Sequence, residues 1–369
     1  MSKKITQQER ETFSVEGNLA DAQVYLPLTP SQLAVLPGLQ FFASQRASIA
    51  AEKAAFLEAF SEFHGGLDLS RCDNVLFGYS ASMFIEIVAN ALRLRGLTRV
   101  GLLNPTYDAT YHILGRHGCF LTPIDDGDLV SNPSELLATI GDLDALFLTL
   151  PNNPTGLEMD RRAFEQLCDH CASKGVILIL DCCFRAYGLV GVDQYEIVLD
   201  SGVQAVVIED TGKLFNVRDV KLGTLWAHGS ISLLIAEIHR DYILEVPLFN
   251  LHAMRRLLEI SGRSYAAYLR SIVAGNRLLS VAKLASVGFT SVGGHASNVQ
   301  LFELPVVMQA KTLRSLLLKH GIGVVDADGF YWASRRRSRS YVRLALARPP
   351  SSFAELLDEI VALVRTQAR

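Results

Sequence analysis

The 369-residue chain has no apolar run approaching the roughly 18 residues that a bilayer span requires. Its opening, Met-Ser-Lys-Lys followed by polar residues, has no apolar core of the kind a secretory signal carries. A cytoplasmic location and no membrane partner are therefore expected. Cysteine is sparse: six residues, at positions 72, 119, 168, 171, 182 and 183, without the spacing of a disulfide scaffold. Cys168 and Cys171 form a C-x-x-C inside a helical pattern, with no second pair and no nearby histidine pair. Buried thiols are the expectation there, with a metal or redox role as the alternative, and a reducing compartment fits. Charge of one sign is also lacking, with 35 lysines and arginines against 38 aspartates and glutamates. A net charge of -3 gives no reason to expect a nucleic-acid partner. The basic run Arg335-Arg336-Arg337-Ser338-Arg339, just after Trp332, reads as a solvated loop. Internal repeats and low-complexity segments are absent.

What the chain does have is core material: 49% of residues are hydrophobic and 20% charged, over a length that suggests two domains. Short β-rich apolar runs alternate with helical patterns through its middle. Strands are expected at Arg99–Leu103, Cys119–Pro123, Ala145–Leu150, Val176–Leu180, Ala205–Ile208 and Gly223–Ala227. Helices are expected at Ala81–Leu94, Ser134–Ile140 and Arg161–Ser173. This alternation predicts an α/β fold with a mostly parallel sheet covered by helices on both faces. A long amphipathic stretch from about Ser261 to Ala285 leads to strands at Val299–Phe302 and Tyr341–Leu346 and a helix at Phe353–Val364. Residues 1–32 therefore read as an amino-terminal arm, 33–255 as a large domain and 256–369 as a smaller α+β domain.

Parallel sheets of this kind place ligands at the carboxyl ends of their strands. Ala145–Leu150 is followed by Pro151-Asn152-Asn153-Pro154-Thr155-Gly156, which by itself is only a rigid turn. Val176–Leu180 is followed by Asp181-Cys182-Cys183-Phe184, and Ala205–Ile208 by Glu209-Asp210-Thr211-Gly212-Lys213. Asn-Pro-Thr-Gly, then a strand-end aspartate, then Thr-x-Lys with Gly223 ten residues on, resembles the class I/II aminotransferase superfamily. The stretch from Tyr341 to Ala347 resembles the strand that carries this family's substrate-carboxylate arginine. The resemblance implies an aspartate-aminotransferase-like fold (fold type I) and pyridoxal 5′-phosphate (PLP) as cofactor.

Carried onto this chain, the resemblance makes Lys213 the residue that bonds covalently to the cofactor and then serves as the base at the substrate Cα. Lysine suits this role when its surroundings lower its pKa. Asp181 would pair with the pyridine nitrogen, and Asn153 would donate a hydrogen bond to the ring's phenolate oxygen. Tyr107 would stack on the ring. Ser80, Ala81 and Ser82, opening the Ala81–Leu94 helix, would hold the phosphate together with Thr211. Arg343 would grip the substrate carboxylate with its two-pronged guanidinium. Two positions depart from the family. Lys221 stands eight residues after Lys213 where an arginine is usual, and Phe184 three residues after Asp181 where a tyrosine is usual.

Both departures recur in a smaller group, the PLP- and oxygen-dependent L-arginine oxidases and hydroxylases of bacterial natural-product pathways. The segment Val207 to Leu214, Phe184-Arg185, Tyr79-Ser80 with Glu86-Ile87, Asn18-Leu19-Ala20-Asp21 and Pro30-Ser31-Gln32 are similar to that group. In it, three carboxylates hold the substrate guanidinium, and the matching positions here are Glu9, Asp21 and Asp210. Gln23 stands where the hydroxylating members carry a histidine, and a neutral amide cannot act as an acid or base near neutral pH. The resemblance thus implies oxidation of L-arginine or a similar cationic amino acid with O2 as co-substrate, hydroxylation staying open, in a homodimer. The alternatives are an ordinary aminotransferase, or a PLP cyclase or lyase, and a non-catalytic protein that borrowed the fold.

Overall fold

The computed structural model describes residues 3–35, 49–130, 133–188, 191–333 and 340–367. The basic run 335–339 lies outside the described residues. The central sheet has seven strands in the order Leu76–Gly78, Gly223–His228, Ala205–Asp210, Ile177–Asp181, Ala145–Thr149, Arg99–Asn104, Phe120–Asp125. The last five in this order are mutually parallel. Gly223–His228 runs antiparallel to both of its neighbours. Each expected strand is present within two residues of its expected limits. The edge strand Leu76–Gly78 has three residues, too few to give a periodic signal in the sequence.

Burial explains the strand sequences. Ala145–Thr149, Ile177–Asp181 and Ala205–Asp210 are buried at every residue, as strands covered on both faces must be. Alternate side chains serve opposite faces. Phe147, Ile179, Val206 and Ile208 pack with the Ala81–Leu94 and Ser232–Tyr242 helices, while Leu146, Leu148, Leu178 and Val207 join the larger core. The Arg161–Lys174 helix begins on Asp160, whose side chain accepts from Ala163 N at 2.8 Å, and ends on Gly175 in the left-handed region. Cys168 and Cys171 are buried on that helix, and burial raises both thiols, Cys171 to about 12. Among the described residues, no helix is long and apolar enough to cross a membrane.

The Leu248–Ala285 helix leads out of this layer, and its helical backbone is interrupted at Gly262 (φ 54°, ψ -167°). The amphipathic stretch expected from Ser261 covers the second part; the first part, beginning at Leu248, was not anticipated. Beyond it an antiparallel sheet orders Val325–Asp326, Tyr341–Ala345, Val299–Glu303 and Thr290–Val292. The amino-terminal residues join neither large sheet. Ile5–Glu11 is helical, Gly17-Asn18 pairs in parallel with Ile322-Gly323, and Leu19, Ala20 and Val24 are fully buried. Arg348 fastens this segment, donating from Nε to Asn18 O and from Nη1 to Gln23 O, both at 2.7 Å.

The loop before Val299–Glu303 meets the Asn-Pro-Thr-Gly turn backbone to backbone. Gly294 N donates to Thr155 O at 2.8 Å and Ala296 N to Gly156 O at 3.0 Å. Gly293 has φ +89°, and a Cβ there would lie 2.3 Å from Thr155 O. Both strain and overlap oppose a side chain. Gly293→Ala is expected to destabilise the protein by about 2 kcal/mol or more, read as a lowered urea midpoint at unchanged slope.

Candidate functional site

Asn104, Thr149, Asp181 and Asp210 each end a parallel strand. Beyond these ends lies a cavity of about 260 Å³, lined by Glu9, Phe13, Asp21, Ala22, Gln23, Ser80, Ala81, Ser82, Ile85, Tyr107, Thr149, Asn153, Asp181, Cys183, Phe184, Asp210, Lys213 and Lys221. Of the site residues expected from sequence, Thr211 and Arg343 do not line it. The Thr211 hydroxyl donates to Leu222 O at 3.0 Å and accepts from Leu222 N at 2.9 Å, so it ties the lysine turn to the next strand. Arg343 is fully buried behind Asn153 and Glu9.

The lysine turn is held from several sides. Asp210 accepts from Gly212 N at 2.6 Å and from Ala81 N at 3.2 Å, and pairs with Lys221 Nζ at 3.3 Å. The Tyr187 hydroxyl donates to Lys213 O at 2.7 Å. Gln23, with its amide oriented to satisfy both neighbours, accepts from Lys213 Nζ at 3.0 Å and donates to Gly212 O. In the sequence Gln23 stands out only as a departure, and Tyr187 carries no signal. Thr149 was within reach of the strand-end rule; Phe13, Ile85 and Cys183 carried no signal.

Asp181 sits at the buried end of its strand and accepts from Cys183 N at 3.1 Å. Burial pushes its carboxyl up, against the pull of Lys213 and that hydrogen bond. The asparagine turn is fixed by a polar knot. Asn152 Nδ2 donates to Pro105 O at 2.9 Å and Asp126 Oδ2 at 3.0 Å, and the Thr155 hydroxyl also donates to Asp126. The knot leaves Asn153 facing the cavity, where its Oδ1 accepts from Arg343 Nη1 at 3.1 Å.

The three acids matched to a guanidinium partner all line the cavity, each with a partner from this chain. Glu9 pairs with Arg343 Nη2 at 2.8 Å. Asp21 accepts from Gln23 N at 3.0 Å and from the Tyr25 hydroxyl at 3.1 Å. Asp210 has the contacts given above. Tyr107, whose hydroxyl lies 3.0 Å from Thr6 Oγ1, and Phe184 supply aromatic walls.

A lysine amine, a buried carboxylate and a helix amino terminus flanked by Lys221 thus share one cavity. The family model for aminotransferase class I and II matches residues 46–360. The chain belongs to that family. Its members are PLP enzymes of fold type I, and the α/β architecture is that of aspartate aminotransferase. A solved structure of MppP soaked with the product 2-ketoarginine superposes with a TM-score of 0.86 at 26% identity, covering 94% of this chain and 99% of that one. Thermus thermophilus aspartate aminotransferase with maleate superposes at 0.80 with 15% identity, over 98% of this chain and 97% of that one, which shows the fold alone. Threonine-phosphate decarboxylase from Salmonella typhimurium is 30% identical over 188 residues, 45% of this chain and 48% of its own length. Histidinol-phosphate aminotransferase from Photobacterium profundum is 24% identical over 48% of this chain and 45% of its own. The chain spans about half the length of these curated relatives.

The donor set fits PLP: an amine for its aldehyde, a carboxylate for its ring nitrogen, and hydroxyl, N–H and ammonium groups for its phosphate. Lys213→Ala is expected to abolish the protein–cofactor adduct, read as loss of the labelled Lys213 peptide after borohydride reduction. A second expectation concerns Asp126, which burial raises from 3.8 to about 6. A carboxyl raised on folding favours the protonated folded state, so its contribution is full below about pH 4 and is lost as pH rises through about 6. Asp126→Asn is expected to remove that loss. From pH 4 to 6 the variant should gain on the native chain by about 2 kcal/mol in urea unfolding.

Proposed function

We propose that this chain is a PLP-dependent enzyme that oxidises L-arginine, or a similar cationic amino acid, with O2 as co-substrate. One observation carries the reading: Glu9, Asp21 and Asp210 line the same cavity as Lys213. Carboxylates paired edge-on with a guanidinium suit a cationic side chain and would repel an acidic one. The likeness to MppP, whose structure was soaked with 2-ketoarginine, supports the same substrate class. A homodimer and a cytoplasmic location belong to this reading.

When bound, PLP supplies an electron sink for the pair left at Cα. Lys213 would take the Cα proton, and Gln23, against its Nζ, would orient the amine without titrating. Asp181 would hold the ring nitrogen from its strand end. Phe184 offers no hydroxyl to the ring, in keeping with a departure from simple transamination. Arg343 would take the substrate carboxylate after exchanging its Glu9 contact. The Ile5–Glu11 helix, which brings Glu9 to the cavity, would exclude bulk water. Overall, the amino acid, O2 and water give the 2-oxo acid, ammonia and hydrogen peroxide, two electrons passing from the Cα–N unit to O2.

Incubation of the PLP-loaded protein with L-arginine under air and under nitrogen tests this. Oxygen uptake without any keto-acid acceptor is expected, and 18O2 and H218O labelling reads whether product oxygen comes from water or from O2. Pyridoxamine phosphate accumulating equally under nitrogen would establish transamination instead. Asp210→Asn is expected to raise KM for L-arginine by about tenfold or more, with the labelled Lys213 peptide still recovered.

A further inference from the structure

A second cavity, of about 170 Å³, lies where the Ile49–Phe63 helix ends, beside the Arg185–Tyr187 turn and the later part of the long helix. It shares no lining residue with the Lys213 cavity. Arg185, Arg263, Arg270 and His64 line it, and among the described residues no carboxylate does. Arg185 is the buried member, its side chain 8% exposed. Its Nε donates to Glu209 Oε1 at 2.6 Å and its Nη1 to Gln194, but its Nη2 has no partner. Buried N–H groups of this kind are rarely left unmatched.

The other two guanidiniums are only partly used. Arg270 Nη1 donates to Ala186 O at 3.0 Å, and Arg263 Nε to Glu62 O at 3.0 Å. The Glu62 carboxylate is 3.8 Å from Arg263 and 72% exposed, so solvent screens that pair. Glu209 balances Arg185, which leaves an excess of positive charge. At His64, burial first and then Arg185 and Arg270 push the imidazole pKa well down.

We propose that this cavity binds a small multivalent oxyanion, phosphate or a polycarboxylate, held by Arg185, Arg263 and Arg270. Guanidinium forks match such oxygens in pairs, and the unpartnered Arg185 Nη2 supplies a donor already desolvated. The volume admits an ion of that size.

The test uses PLP-loaded protein, so that the cofactor's own phosphate fills the first cavity. Inorganic phosphate and citrate are titrated separately by calorimetry at constant ionic strength, with chloride as the control. Saturable binding of one ion per chain is expected from at least one of them, and which one binds identifies the ligand. Arg263→Gln and Arg270→Gln should each weaken binding by about tenfold or more, with unchanged cofactor absorbance showing that they fold. Arg256→Gln, at an exposed arginine paired with Glu259, should leave it unchanged. No saturable binding of either ion, or binding equal in native chain and both cavity variants, would overturn the assignment.

Discussion

Three remote parts of the chain meet on the guanidinium of Arg343. Its Nη2 holds Glu9 from the first helix and the carbonyl of Ala20, and its Nη1 holds Asn153 from the turn after Ala145–Thr149. Its Cζ lies 5.2 Å from the centre of the Phe330 ring. A charge this deeply buried is tolerated only with matched partners, and removing one partner of such a pair typically costs about 3–5 kcal/mol. The amino-terminal segment, the second sheet and the asparagine turn are therefore mutually conditional. The shape of the Lys213 cavity depends on that condition, since Glu9 and Asn153 both line it.

The sheet was legible because its strands are dense apolar runs bounded by turn residues, and the strand-end rule then pointed to Asn153, Asp181, Asp210 and Lys213. What stayed hidden depends on contacts across long sequence separations. Gln23 reaches Lys213, Tyr187 reaches the Lys213 carbonyl and Arg348 clasps residues 18–23, and no local pattern announces any of these. The Thr211 hydroxyl is likewise committed to a contact that the sequence does not announce, with both the carbonyl and the N–H of Leu222. The Ile49–Phe63 helix does leave a local signal, since its Phe56, Phe60 and Phe63 are buried at helical spacing.

The two departures from the wider family alter local chemistry in different ways. Lys221 presents a point charge to Asp210 where an arginine would present a fork. Phe184 removes a hydroxyl from the cavity wall while keeping an aromatic surface. Arg185, the next residue, turns away to meet Glu209, whose carboxyl burial raises to about 7 even with that partner. Adjacent residues of one short turn thus serve two separate cavities.

The break at Gly262 has a consequence for phase. An uninterrupted helix would carry a single apolar stripe through all 38 residues of Leu248–Ala285. A non-helical residue at 262 resets the rotation, so each part presents its own face. The first turns Arg255 and His252 toward Glu52 of the Ile49–Phe63 helix. The second turns Asn276 toward the carbonyls of Leu346 and Arg348, and Arg277 toward Gln300 and Ser297. The two parts thus direct their polar side chains to different elements, while Leu251 and Leu257 before the break and Leu269 and Val273 after it pack into one continuous core.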